Sequence, residues 1–124
     1  MKILVITANY YPEISNSLRL SAQKSLLDYE VKYFTAPGVF EIPSIISKYI
    51  DEFDGFVALG CVIKGETSHF DLISQSVTDG LMNLSIKFKK PIGNGILTCI
   101  NKEQALERLN KGSEAANAVT KVLL

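Results

Sequence analysis

A chain of 124 residues, 47% of them hydrophobic, is long enough to bury one layered core and predicts a single domain over residues 1–124. Its 13 basic and 13 acidic residues cancel, so the bulk charge favours neither a nucleic acid nor a membrane surface as partner. Cys61 and Cys99 lie in apolar segments without CxxC spacing, which favours free thiols in a reducing compartment. The first apolar run is too short for a secretory leader or a membrane span. We therefore expect a soluble, cytoplasmic protein with a small-molecule ligand.

The first half of the chain alternates strand signals with helix signals. Residues 3–6 form an unbroken apolar run rich in β-branched side chains, as in a strand covered on both faces. Apolar residues spaced three or four apart from about residue 15 to 29 predict an amphipathic helix, and a short strand follows over residues 31–35. A second helix starts with Pro43 in its first turn and carries an apolar stripe as far as Phe53.

The second half continues the alternation. Residues 56–63 are another continuous apolar run and predict the third strand. A long helix with one apolar face follows, with Thr67 or Ser68 as its N-cap and Pro91 as the residue that stops it. Residues 92–98 predict the fourth strand.

Glycines and one asparagine mark the C-terminal part. Gly93 and Gly95 lie inside the fourth strand, which indicates that another backbone, a neighbouring subunit or a ligand approaches closely. Asn101 resembles the first residue of a capping box and opens a helix. We expect Gly112 to separate that helix from a last one over residues 113–123.

The alternation predicts a three-layer α/β/α sandwich around a four-stranded parallel sheet, with the flavodoxin-like strand order 2-1-3-4. In such a sheet a ligand binds beyond the carboxyl ends of the strands, at the switch point between strands 1 and 3. Three loops that are distant in sequence should therefore meet there: residues 8–11, 36–41 and 64–69.

The third of these loops carries the clearest chemical signal. His69, the only histidine, is either a proton-transfer residue active near neutral pH or a surface residue without a role. Gly65, Glu66 and Thr67 offer backbone N–H groups at a helix start, as anion sites do, but they match neither common phosphate-binding motif. Glu66 would repel a phosphate unless its side chain points away. The alternative is an ordinary acidic first turn that stabilises the helix dipole.

Other candidate residues each have a structural alternative. Tyr10 and Tyr11 either stack on a planar ring or cover the edge of the core. Glu41 either accepts hydrogen bonds from ligand hydroxyl groups or begins a helix as a favourable charge. Asn94 is either a polar strand residue or a ligand contact, while Arg108 near a helix C-terminus usually just offsets the dipole.

Neither a metal site nor a serine nucleophile is well supported. Cys61, His69 and Asp71 match no zinc-ligand spacing, and no G-x-S-x-G elbow occurs. The residues themselves therefore predict a phosphate-compatible pocket with a candidate proton-transfer histidine. A non-catalytic flavin- or nucleotide-binding module would also fit this description.

Four segments carry recognisable motifs. Residues 36–43 follow the pattern (V/A)PG(A/S)xE(I/L)P except that Val39 stands at the Ala or Ser position, and residues 60–71 read GCVIKGETSHFD. Residues 95–98 and 103–108 read GILT and EQALER. In this order the four motifs resemble those of the 6,7-dimethyl-8-ribityllumazine synthase family of riboflavin biosynthesis, and the resemblance covers nearly the whole chain.

The resemblance implies an enzyme that condenses 5-amino-6-ribitylaminouracil with 3,4-dihydroxy-2-butanone 4-phosphate to 6,7-dimethyl-8-ribityllumazine, with release of phosphate and water. It implies no cofactor and no metal. It also implies a homo-oligomer, a pentamer or a multiple of pentamers, with the active site between subunits. The chain lacks the family's extension before the first strand and has a shorter loop after Arg108; in the family both regions touch subunit contacts.

For the pyrimidinedione ring and its ribityl chain, the resemblance implies three roles. Tyr10, in place of the family's Phe or Trp, would stack on the ring. Backbone groups of three residues would contact the ring: Val62, Ile63 and Lys64. Three residues would hold the ribityl chain: Val39, Phe40 and Glu41. Lys64 replaces a common Arg, which keeps the charge but loses the bidentate fork.

For the second substrate, the resemblance implies a shared phosphate site. The phosphate would be bound by three residues: Gly65, Glu66 and Thr67. Arg108 would be its cationic partner, and His69 would shuttle protons. Three residues should come from the neighbouring subunit: Asn94, Arg108 and Lys111. Such a subunit contact would also account for the glycines beside Asn94.

Overall fold

The computed structural model describes all residues 1–124 as four strands and five helices. The strands are β1 (Lys2–Ala8), β2 (Glu30–Ala36), β3 (Gly55–Ile63) and β4 (Ile92–Cys99). The helices are α1 (Pro12–Lys24), α2 (Ile42–Lys48), α3 (His69–Phe88), α4 (Lys102–Leu106) and α5 (Lys111–Leu123). A short 3₁₀ turn, Val39–Glu41, leads into α2. No helix combines the length and the hydropathy that crossing a membrane requires.

The four strands form one parallel sheet in the order β2-β1-β3-β4, which confirms the predicted order. Ile3 pairs with Val31 on one side and with Gly55 on the other, and Phe56 in turn pairs with Ile92. The polar loops that follow β1 and β3 therefore start at the same edge of the sheet, from neighbouring strands.

Successive residues of the central strands enter two different cores, one on each face of the sheet. Four strand residues pack with α1 and α5 on one face: Ile3, Val5, Val57 and Leu59. Four others pack with α2 and α3 on the opposite face: Leu4, Ile6, Phe56 and Ala58. Burial on both faces explains why β1 and β3 read as continuous apolar runs, and it confirms the three-layer α/β/α sandwich.

Helix α5 lies unusually close to both β4 and α1. A Cβ added to Gly93 would collide with the carbonyl oxygen of Ala115, and one added to Gly112 would collide with the carbonyl oxygen of Leu18. The close approach predicted at Gly93 and Gly95 is thus confirmed, and at Gly93 the approaching backbone is that of α5. A Cβ at Gly95 would instead meet the Leu59 side chain and the Ala58 carbonyl oxygen of β3 first. A neighbouring subunit is not needed to account for these glycines. The predicted break at Gly112 was wrong, because that glycine lies inside α5 and permits the crossing with α1.

Several helix boundaries differ from the predicted ones, and α1 for instance ends at Lys24 rather than near residue 29. Helix α1 begins at Pro12. Proline fits this position because the N–H groups of the first helical turn have no partner within the helix, so its missing N–H group breaks no hydrogen bond. Helix α2 ends at Lys48 rather than near Phe53, and Ile50 donates its N–H to Ser47 in a tighter turn. Ile50 and Phe53 are nevertheless buried, so the apolar stripe marks the core correctly but overstates the helix.

Candidate active site

A cavity of about 270 Å³ lies at the carboxyl ends of β1 and β3, where the predicted switch point falls. We call it the switch-point pocket. Apolar side chains form most of its lining. Six of the predicted site residues line it: Tyr10, Val39, Phe40, Val62, Ile63 and His69. Residues from the three predicted loops and from the end of β3 thus converge on one pocket.

The turn from β1 into α1 is held by Ser15, which is 1% exposed. Its hydroxyl group donates to the carbonyl oxygen of Ala8 at 2.6 Å, and its backbone N–H donates to the carbonyl oxygen of Tyr11 at 2.9 Å. Both ends of the turn are therefore anchored to one buried residue. Tyr10, in the middle of the turn, remains 72% exposed and faces the pocket.

The loop between Gly38 and Glu41 reaches the pocket because Gly60 has no side chain. A Cβ at Gly60 would come within 2.7 Å of the Cγ1 atom of Val39, which packs against β3 at this point. Phe40 is exposed and lines both the switch-point pocket and an adjacent cavity of about 400 Å³. Glu41 lines only the adjacent cavity, and its carbonyl oxygen accepts a hydrogen bond from Ser44.

His69 is the first residue of α3, with Ser68 at the N-cap position, one of the two predicted caps. The Ser68 side chain makes no capping hydrogen bond. Instead the backbone N–H of His69 donates to the Thr67 hydroxyl group at 3.3 Å. The exposed imidazole lines the switch-point pocket, where it can exchange protons with a bound molecule and with solvent.

The segment between β3 and α3 is open to solvent. Lys64 donates its backbone N–H to Cys99 at 2.9 Å, after which the chain leaves the sheet. Gly65, Glu66 and Thr67 are all exposed. A Cβ at Gly65 would meet no atom within 4 Å, so the packing of this chain does not require a glycine there.

The remaining predicted residues share a different cavity, which we call the β4 groove. It occupies about 570 Å³ between β4, the segment that follows α4 and the start of α5, and its lining includes Asn94, Arg108 and Lys111. The Arg108 guanidinium donates to the carbonyl oxygen of Gln104 at 2.9 Å. The Asn94 side chain accepts from the backbone N–H of Ile96 at 3.1 Å, a group on the free edge of the sheet.

The two cysteines are buried free thiols, as predicted. Burial, with a smaller contribution from the neighbouring Cys99, raises the pKa of Cys61 to about 12. Burial also raises the pKa of Cys99, although the nearby Arg108 guanidinium opposes this shift. Thiols that stay protonated near neutral pH are poor nucleophiles. No three His, Cys, Asp or Glu side chains come together in a group that could hold a metal ion.

Within one chain, the predicted site residues therefore fall into separate groups. The switch-point pocket contains His69 and the aromatic candidates, whereas the β4 groove contains Arg108, and the linings of the two cavities have no residue in common. Sequence reasoning did not name Ile73 as a site residue, although it lines the switch-point pocket. Tyr11, for which it left a ring contact and a place at the core edge both open, lines the pocket as well. Ile73 follows His69 by four residues on a helix, a spacing that places two side chains on one face.

Together, the flavodoxin-like strand order, the apolar pocket at the switch point and the exposed histidine beside it define a small-molecule-binding α/β protein. The family model described as 6,7-dimethyl-8-ribityllumazine synthase matches residues 1–124. The chain belongs to this family, which confirms the resemblance drawn from the four motifs.

Curated relatives named 6,7-dimethyl-8-ribityllumazine synthase match nearly the whole of this chain and about three quarters or more of their own length. The chain is 40% identical to the 6,7-dimethyl-8-ribityllumazine synthase of Methylorubrum populi over 98% of this chain and 80% of that protein. It is 41% identical to that of Bdellovibrio bacteriovorus over 99% of this chain and 74% of that protein. For the Bartonella tribocorum enzyme the identity is 42%, over 94% and 83% respectively.

Proposed function

We propose that this chain is an enzyme that condenses 5-amino-6-ribitylaminouracil with 3,4-dihydroxy-2-butanone 4-phosphate to 6,7-dimethyl-8-ribityllumazine. The observation that carries this function is the family match over residues 1–124, shared with relatives named for the same product. The pocket at the switch point supports it, because a planar substrate needs an apolar cavity with a few polar groups at its edge. A purely binding module is not favoured, since the named relatives are synthases.

The ring of the aminouracil enters the switch-point pocket and stacks on Tyr10. The Tyr10 ring is exposed at the edge of an apolar lining. This supports the assignment, because an aromatic face attracts a planar ligand. Backbone groups at the end of β3 contact the ring edge through three residues: Val62, Ile63 and Lys64. The ribityl chain extends along Val39, Phe40 and Glu41 towards the adjacent cavity. The Glu41 carboxylate there accepts hydrogen bonds from the hydroxyl groups of the chain.

The phosphate of the second substrate binds at the open start of α3. Gly65, Glu66 and Thr67 present backbone groups there, and the missing Cβ at Gly65 leaves room for close approach. The Glu66 side chain points away from the phosphate in this arrangement. A cation is still required, and Arg108 has guanidinium N–H groups beyond the one that bonds Gln104. Because Arg108 lines the other cavity, we assign this role to the Arg108 of a second copy.

Homo-oligomerisation brings the two cavities together, with Asn94, Arg108 and Lys111 facing the switch-point pocket of the neighbouring copy. The outer face of α3 supports association, because Leu72, Met82 and Ile86 are apolar and 58–68% exposed. We propose a pentamer or a multiple of pentamers. A mass measurement of the intact assembly distinguishes these states from a monomer.

The reaction needs orientation and proton transfer. The ring amine attacks the ketone to form an imine with loss of water, phosphate is then eliminated, and ring closure releases a second water. His69 moves the protons. A positioned acid–base group typically raises the rate by about 10²–10⁴-fold. Holding the two substrates together contributes several kcal/mol more, on the order of 7 or above for well-oriented groups. No cofactor is required.

The decisive experiment mixes the purified protein with both substrates and follows the lumazine chromophore. We expect the rate to exceed that of a protein-free mixture and that of the same protein after heat unfolding. A binding module would give only the spontaneous rate, and that result would overturn the proposed function. We also propose that the chain acts in the cytoplasm as one domain. Cell fractionation and a single cooperative unfolding transition test these two points.

A further inference from the structure

Tyr10 and Tyr11 form a ring pair at the rim of the switch-point pocket. Their ring centroids are 4.9 Å apart and their planes meet at 77°, an edge-to-face arrangement. Tyr10 is 72% exposed, whereas Tyr11 is partly buried and packs against the core between the sheet, α1 and α5. Burial also raises the pKa of the Tyr11 hydroxyl group. One ring of the pair is therefore held by the protein interior and the other is not.

The backbone of Tyr11 is fixed as well. It is the N-cap residue of α1, and its carbonyl oxygen accepts the N–H of Ser15. Ser15 also binds the carbonyl oxygen of Ala8, the last residue of β1. An exposed tyrosine normally samples several staggered rotamers. Tyr10 forms its aromatic ring pair with the anchored Tyr11 ring.

We propose that Tyr11 is a positioning residue that holds the Tyr10 ring at the pocket rim, in the orientation that receives a planar substrate. Edge-to-face pairs stabilise one relative orientation of two rings beyond the effect of burial alone. A ring that is already oriented loses less entropy when a ligand stacks on it. The consequence for substrate binding rests on the proposed function, whereas the restriction of the Tyr10 ring does not.

The restriction can be measured without substrate. The chain has no tryptophan, so a Tyr10→Trp substitution introduces a single reporter at the pocket rim. We expect its time-resolved fluorescence anisotropy to show a restricted ring when residue 11 is unchanged or carries Tyr11→Phe. With Tyr11→Leu the fast local motion should increase, and Tyr11→Met serves as a second non-aromatic variant if the leucine form does not fold. Equal mobility in the aromatic and non-aromatic backgrounds would overturn the proposal.

The effect on catalysis is measured with native Tyr10 and both substrates. We expect Tyr11→Leu to raise the KM for the aminouracil by about two- to tenfold, the range of an edge-to-face pair, and to leave the KM for the phosphate substrate unchanged. Tyr11→Phe should retain the native KM because it keeps the ring. An equal rise in both KM values with Tyr11→Leu would contradict the positioning role. A raised KM for the aminouracil with Tyr11→Phe would contradict it as well.

The two proposals fail in distinguishable ways. Absence of lumazine formation by the unsubstituted protein would refute the proposed function, and the anisotropy series would still decide the role of Tyr11. Normal turnover that is insensitive to Tyr11→Leu would leave the function intact and refute the positioning role. Urea unfolding of each variant shows whether a change in KM accompanies a loss of stability.

Discussion

The switch-point pocket and the β4 groove lie in the same small chain but differ in chemistry. The pocket holds about 270 Å³ among mostly apolar side chains, with two tyrosines and one histidine at its rim. The groove holds about 570 Å³ among mostly polar side chains, including Arg108, Lys111 and two glutamates. The first suits a planar ring and the second suits a charged group. Each cavity has the chemistry that the other lacks, and this is the physical basis for the proposal that they form one composite site.

The two cavities also arise from different features of the fold. The switch-point pocket follows from topology, because loops after neighbouring parallel strands meet wherever the strand order reverses. The β4 groove depends instead on an edge strand and on a close approach of α5, which Gly93 permits. The pocket is therefore predictable from alternating strands and helices, while the groove depends on tertiary packing.

The largest effect should come from His69→Ala in the switch-point pocket. We expect kcat to fall by about 10²–10⁴-fold, because a positioned proton-transfer group is lost, while the KM for each substrate stays nearly constant. Steady-state kinetics of lumazine formation measure both parameters. Equal losses of binding and rate, or no loss at all, would contradict the proton-transfer role.

A smaller effect of a different kind should come from Arg108→Ala in the β4 groove. We expect the KM for the phosphate substrate to rise by about 10–100-fold, the range of a lost charged hydrogen bond, with little change in the KM for the aminouracil. Arg108→Lys is the matched control, since it keeps the charge but not the fork. An unchanged KM in Arg108→Ala would remove this residue from the phosphate site.

The same two variants test whether the two cavities meet across copies. A mixture of His69→Ala and Arg108→Ala subunits, unfolded together and reassembled, should recover activity, because some interfaces would combine an intact pocket with an intact groove. Separately reassembled variants provide the control. If the composite site lay within one chain, the mixture would be no more active than the two variants measured apart.

The sequence allowed the sheet to be predicted more fully than the site. Continuous apolar runs identified β1 and β3, because burial on both faces removes the usual alternation. The apolar stripe through Ile50 and Phe53 predicted correctly that these residues are buried, but it did not predict where α2 ends. Residues in a turn can be buried in the core just as helical residues can. The role of Gly112 was missed because a glycine that breaks a helix and one that permits a helix crossing look alike in sequence.

A pair of glycines offers a further test: Gly93, in β4 against α5, and Gly65, in the segment between β3 and α3. Gly93→Ala should lower the free energy of unfolding by about 1–3 kcal/mol, because its Cβ would overlap the Ala115 carbonyl oxygen. Gly65→Ala should change that free energy by less than about 0.5 kcal/mol, since its Cβ would meet nothing within 4 Å. Instead it should raise the KM for the phosphate substrate. Denaturant unfolding and kinetics together distinguish a structural glycine from a ligand-facing one; a destabilised Gly65→Ala variant would argue against the second assignment.

The smallest effect should come from Lys89, at the end of the molecule opposite the switch-point pocket. It closes α3 in the left-handed conformation, with φ of 55°, where a side chain is strained and glycine is not. Lys89→Gly should therefore raise the free energy of unfolding by about 0.5–1 kcal/mol. Lys89→Ala removes the same charge but keeps the Cβ, so it should give no such gain. Neither variant should alter the KM for either substrate. A change in KM with Lys89→Gly would mean that added stability alone can shift ligand binding, and the KM differences expected for Arg108 and Gly65 could then not be assigned to direct contacts.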